Sequence, residues 1–92
     1  MKISQSRLFE NKVKKMSKAE KDALDIEVRN IAENQNIGEE KKGDLKGVFL
    51  HKFKLKANLY LLAYRKVGTD LELVMIDELV KSRFYPYLSF RA

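Results

Sequence analysis

Residues 47–56 split into two faces when written as a strand. Phe49, His51, Phe53 and Leu55 point one way, and Val48, Leu50, Lys52, Lys54 and Lys56 the other, because successive side chains alternate across a sheet. The first face is apolar and requires a core. The second ends in a row of three lysines, whose mutual repulsion is relieved by an anionic partner. In residues 59–67, Tyr60, Leu62 and Tyr64 share one face and Leu59, Leu61, Ala63 and Val67 the other. Both faces are apolar, which predicts a central strand. Leu71, Leu73 and Met75 then alternate with Glu72, Val74 and Ile76. Asn58 marks the first turn and Gly68, Thr69 and Asp70 the second; such short turns predict an antiparallel meander.

Upstream, the apolar period lengthens to that of a helix. Over residues 6–16, Phe9, Val13 and Met16 recur at spacings of four and three. Ser17 followed by Glu20 has the pattern of a capping box, in which each side chain satisfies the other's backbone amide. A second helix therefore starts there, continues through Leu24, Val28, Ile31 and Ala32, and ends near residues 34–38. The two predict an antiparallel helical hairpin turning at Met16 and Ser17. Residues 36–47 read as a loop, residues 1–5 as a brief edge strand of weak signal, and Pro86 limits regular structure in the tail. The predicted architecture is a single domain, residues 1–92, of class α+β: an N-terminal helical hairpin packed on one face of an antiparallel sheet of three to four strands.

Composition narrows the function. With 45% hydrophobic and 35% charged residues the chain suits a globular fold. It has no cysteine, which excludes disulfides and thiolate metal sites, and its single histidine, His51, argues against a protein-built zinc site; no cofactor is expected. No signal peptide is visible, and the longest uncharged run, residues 57–64, is too short to cross a bilayer. The expectation is a cytoplasmic protein with no membrane partner. Net charge is +6, and residues 45–69 hold six Lys or Arg and no acid. Such a stretch suits a polyanion.

No phosphate-binding glycine motif occurs. His51 lies on the predicted core face, where it reads as a satisfied histidine rather than a member of a triad. Asp77 and Glu78 are adjacent and point to opposite sides of a strand, so they read as solvated rather than as a carboxylate dyad. What remains is Lys46, Lys52, Lys54, Lys56, Arg65, Lys81, Arg83 and Tyr85. Cations neutralise phosphate and aromatic rings stack on unpaired bases. The same set fits metal-free RNA cleavage, in which the 2′-hydroxyl attacks the adjacent phosphate. That reaction needs a proton acceptor, a proton donor and stabilisation of a crowded phosphorane. A lysine among lysines is the better base, since like charge disfavours its protonated form. From the residues alone, binding and cleavage both stand.

From Lys46 through the Phe49, Phe53 and lysine alternation, the Leu59 to Tyr64 strand and the Phe84-Tyr85 tail, the chain resembles the RelE/ParE superfamily of bacterial toxins. Residues 5–9 and 37–47 also resemble its type II toxin–antitoxin subgroup. The resemblance implies a helical hairpin on a curved antiparallel sheet and a cognate antitoxin that wraps the toxin. An acidic amphipathic antitoxin segment is expected over the lysine face. The resemblance also implies one of two targets: mRNA on the ribosome, cut without metal, or DNA gyrase, inhibited without chemistry. Carried over by position, Lys52 and Lys54 fall on the lysine strand and Tyr85 on the late tyrosine. The catalytic set expected for a nuclease is Lys52, Lys54, Arg83 and Tyr85, with Lys46, Lys56, Arg65 and Lys81 binding RNA. Two departures stand out. Leu61 occupies the place of the next-strand arginine, for which Arg65 is the nearest substitute. The tail reads Lys81, Ser82, Arg83, Phe84, Tyr85 where relatives have His-Glu-Asn-Phe-Tyr. A degenerate, non-toxic member that serves only in antitoxin binding and operon repression is the third expectation.

Overall fold

The structure, a computed structural model, describes residues 1–40, 47–55 and 57–79. Its elements are β1 (Ile3–Gln5), α1 (Arg7–Lys14), α2 (Lys18–Glu33), β2 (Glu39–Glu40), β3 (Val48–Leu55), β4 (Asn58–Val67) and β5 (Asp70–Glu78). They form one five-stranded sheet in the order β1-β5-β4-β3-β2. The helices lie on one face, α1 over β5 and α2 over β3.

The meander β3-β4-β5 is antiparallel, and β4 is central, as its two apolar faces require. Its second turn has two residues, Gly68 and Thr69, between the paired Val67 and Asp70. Gly68 has φ +63°, a value that hairpin turns of this length demand and glycine adopts without strain. Asn58 is not a turn residue but the first of β4, paired with Leu55.

The sheet has five strands rather than three or four, and it is mixed. β1 pairs in parallel with β5, Ile3 opposite Leu71, through the Leu71 amide to the Lys2 carbonyl and the Ser6 amide to the Leu73 carbonyl. β2 emerges from the segment read as a loop and pairs antiparallel with β3. Both are too short to show an alternation.

Ser6 caps α1 by accepting from the Phe9 amide at 3.1 Å. Ser17 and Glu20 form the reciprocal capping box that opens α2, at 3.2 and 2.9 Å. Phe9, Leu24 and Ile31 from the helices are buried against Phe49, Phe53, Leu55, Leu62, Tyr64, Leu71, Leu73 and Ile76. A second cluster, Leu50, Leu61, Ala63 and Leu79, occupies the other face.

β5 departs from the strict alternation its sequence predicts. Leu71 and Leu73 share the helix-facing core with Ile76, whereas Val74 and Met75 both pack on the second cluster. A β-bulge explains this: Ala63 pairs with Met75 but Tyr64 pairs with Leu73. Two residues then oppose one, and the alternation slips by one position. The Ser6 hydroxyl donates to the Val74 carbonyl, tying the bulge to the start of α1.

Tyr64 is fully buried. Its hydroxyl donates to the Gln35 carbonyl at 2.8 Å and accepts from the Gly38 amide at 3.0 Å. It thereby pins the turn between α2 and β2 to the central strand.

Candidate nucleic-acid interface

Lys52 and Lys54 are both exposed on β3, on the sheet face turned away from the helices. Their alternation with buried Phe53 and Leu55 puts them there. Two residues apart on one strand, they emerge about 7 Å from each other. Across the ladder stand Leu61 and Leu59 respectively. Leu61 is 1% exposed and belongs to the second cluster, whereas Leu59 is 47% exposed. The lysines therefore stand at the rim of a packed apolar surface. Among the described residues, no carboxylate forms an ion pair with Lys54.

Arg65 is not brought to them. It pairs with Val48, four residues along β3 from Lys52, or about 13 Å. Its guanidinium binds Glu72 Oε1 through Nε at 2.9 Å and Nη2 at 2.6 Å. The two-residue hairpin imposes this pair, since counting back from Val67 opposite Asp70 places Arg65 opposite Glu72. Lys46, Lys56, Lys81, Arg83 and Tyr85 lie outside the described residues.

His51 is committed elsewhere. Its Nε2 lies 3.0 Å from Glu27 Oε2 on α2, and its ring stacks on Phe53 at 5.7 Å. The pair joins the helix layer to the sheet, which is the satisfied role expected of it.

Asp77 and Glu78 are half-buried rather than solvated. Asp77 pairs with Lys12 of α1 at 3.3 Å and also accepts from the Glu78 amide. With Glu20 and Tyr60 they border a cleft of about 290 Å³ between the helix turn and the sheet. Burial first, then the carboxylates of Glu20, Glu78 and Asp77, push the Tyr60 phenol above its ordinary range. This grouping was hidden from sequence reading by the bulge. Strict counting from the hairpin would set Tyr60 opposite Asp77, whereas the observed partner is Glu78. Among the described residues no cluster of three or more His, Asp or Glu could hold a metal ion. No helix among them is long and apolar enough to cross a membrane.

Known proteins resemble this arrangement. The fold is similar to the isolated E. coli RelE toxin, with TM-score 0.67 and 15% identity over 94% of this chain and 92% of that one. It is equally similar to a chain of the intact E. coli RelBE toxin–antitoxin complex, at TM-score 0.67 and 14% identity over 84% and 94%. The YoeB/ParE toxin from Agrobacterium tumefaciens matches at TM-score 0.65 and 18% identity over 85% and 98%. No curated protein matches in sequence. The model of the ParE-like toxins of type II bacterial toxin–antitoxin systems matches residues 3–88. With a match over nearly its whole length, the chain belongs to the ParE-like toxins of type II bacterial toxin–antitoxin systems.

Proposed function

We propose that this toxin is a metal-independent endonuclease of mRNA held on the ribosome. The observation that supports it is the exposed pair Lys52 and Lys54 on the sheet face opposite the helices. Lys54 is the general base for the 2′-hydroxyl, and Lys52 stabilises the charge that develops on the phosphorane. Arg83 assists at the phosphate, and Tyr85 stacks on a base or supplies the proton to the leaving oxygen. Lys46, Lys56, Arg65 and Lys81 extend the contact along the RNA backbone. A cognate antitoxin, as in the RelBE complex of E. coli RelE, covers the lysine face with an acidic amphipathic segment. The test is inducible expression without antitoxin, followed by primer extension on abundant messages. New 5′ ends within codons that vanish in Lys54→Ala are the expected result. Intact messages during growth arrest would overturn it.

One observation favours a second reading. Leu61 stands where the resemblance implies an arginine, and it is 1% exposed within the second cluster. A buried leucine cannot hold phosphate, and its place in the core is a stable alternative to a charged site. On this reading the lysines dock the toxin on DNA gyrase. Gyrase-dependent DNA breakage with intact mRNA would establish it.

A further inference from the structure

The strand β2 is an acidic edge laid beside the lysine row. It consists of Glu39 and Glu40, both exposed. Glu39 pairs with Leu50 and Glu40 with Phe49. Leu50 belongs to the second cluster and Phe49 to the helix-facing core. Directly opposed residues share a face, so Glu39 lies on the side of Lys52 and Lys54, and Glu40 on the other. Lys52 follows Leu50 by two residues, which makes it a diagonal neighbour of Glu39, at about 7–8 Å between backbones. Both side chains are long enough to meet across that gap.

We infer that Glu39 is a built-in competitor for the phosphate site: its carboxylate occupies the field of Lys52 in the free toxin, and an incoming RNA phosphate must displace it. The inference rests on the RNA reading of the lysine row. A carboxylate beside the ammonium offsets part of its charge and repels a second anion, so it lowers affinity for phosphate whatever the base sequence. The position of Glu39 is set by the fold. Tyr64 fixes the turn that leads into β2 through Gln35 and Gly38, and Lys66 holds Asn36 in the same turn. The carboxylate is thus carried on a short strand held at both its approach and its ladder.

The experiment is fluorescence anisotropy with a labelled single-stranded RNA oligonucleotide and the purified chain at physiological ionic strength. Glu39→Gln, an isosteric change that removes the charge, should tighten binding roughly threefold, the effect of one charge at about 7 Å in near-aqueous dielectric. Glu40→Gln removes the same net charge from the other face. Screening over about 8 Å should leave it with less than half that gain. In the Lys52→Ala background the advantage of Glu39→Gln over Glu40→Gln should disappear. If Lys52→Ala weakens binding but Glu39→Gln and Glu40→Gln are equivalent, the inference falls and the RNA reading survives. If neither Lys52→Ala nor Lys54→Ala changes binding, the RNA reading falls and takes the inference with it.

Discussion

Tyr64 brings one hydroxyl into an otherwise apolar core, and that group is used twice, as donor to Gln35 and acceptor from Gly38. The second contact dictates the residue at position 38. A Cβ there would lie 2.8 Å from the Tyr64 hydroxyl and 2.9 Å from its ring, with the Leu50 carbonyl at 3.2 Å. A fully buried ring cannot give way. Gly38→Ala should therefore cost about 1–3 kcal/mol, as overpacking does, measured by urea denaturation. The phenol also makes stability depend on alkaline pH. Burial raises its pKa above 10.0, and the Gly38 hydrogen bond opposes this in part. A raised acid keeps its proton longer when folded. Above the unfolded value, the unfolded chain has therefore lost a proton that the folded chain still binds, and stability falls as pH rises. The stability of wild type minus that of Tyr64→Phe should be flat below about pH 10 and decline above it; a difference that rises there would contradict the assignment.

At the scale of elements, the signals that were legible were those carried by neighbours in sequence. Ser17 and Glu20 announce α2 because a capping box is complete within four residues. Ser17→Ala should lower stability by about 1 kcal/mol, read by thermal or urea unfolding, while Glu20→Gln keeps an acceptor for the Ser17 amide and should cost less. The alternation of β3 was legible for the same local reason. β1 was faint and β2 was missed, because strands of three and two residues exist only through the partners they find in β5 and β3. The bulge was invisible because Val74, Met75 and Ile76 are all apolar, and a slip by one position leaves such a run looking like a strand in either phase. On the lysine strand, the exposure of Lys52 and Lys54 follows from local alternation, whereas the engagement of Arg65 by a carboxylate depends on the register of β4 with β5. The Arg65 partner, Glu72, follows from the hairpin count, whereas the link from His51 to Glu27 depends on how α2 crosses the sheet, which no local pattern records.

Over the whole molecule, charge and shape are divided between the two sheet faces. The helix layer carries ion pairs, Lys14 with Glu10 within α1 and Lys12 with Asp77 of β5, while Lys52 and Lys54 rise on the sheet face away from it. If those lysines neutralise phosphate, binding of single-stranded RNA should weaken linearly in log salt. Lys54→Ala should reduce that slope by about 0.7, the value for one lost contact; an unchanged slope would remove Lys54 from the interface. The parallel pairing of β1 with β5 has a separate, kinetic meaning. β3, β4 and β5 are joined by tight hairpins and close over short loops, whereas the contact of Lys2 with Asp70 spans 68 residues. Such long closures form late. During synthesis the N-terminal strand must wait, unpaired, until the last strand of the meander has been made. The sheet can therefore be sealed only after most of the chain exists, and a ribosome that stops early releases a toxin whose outer strand has nothing to join.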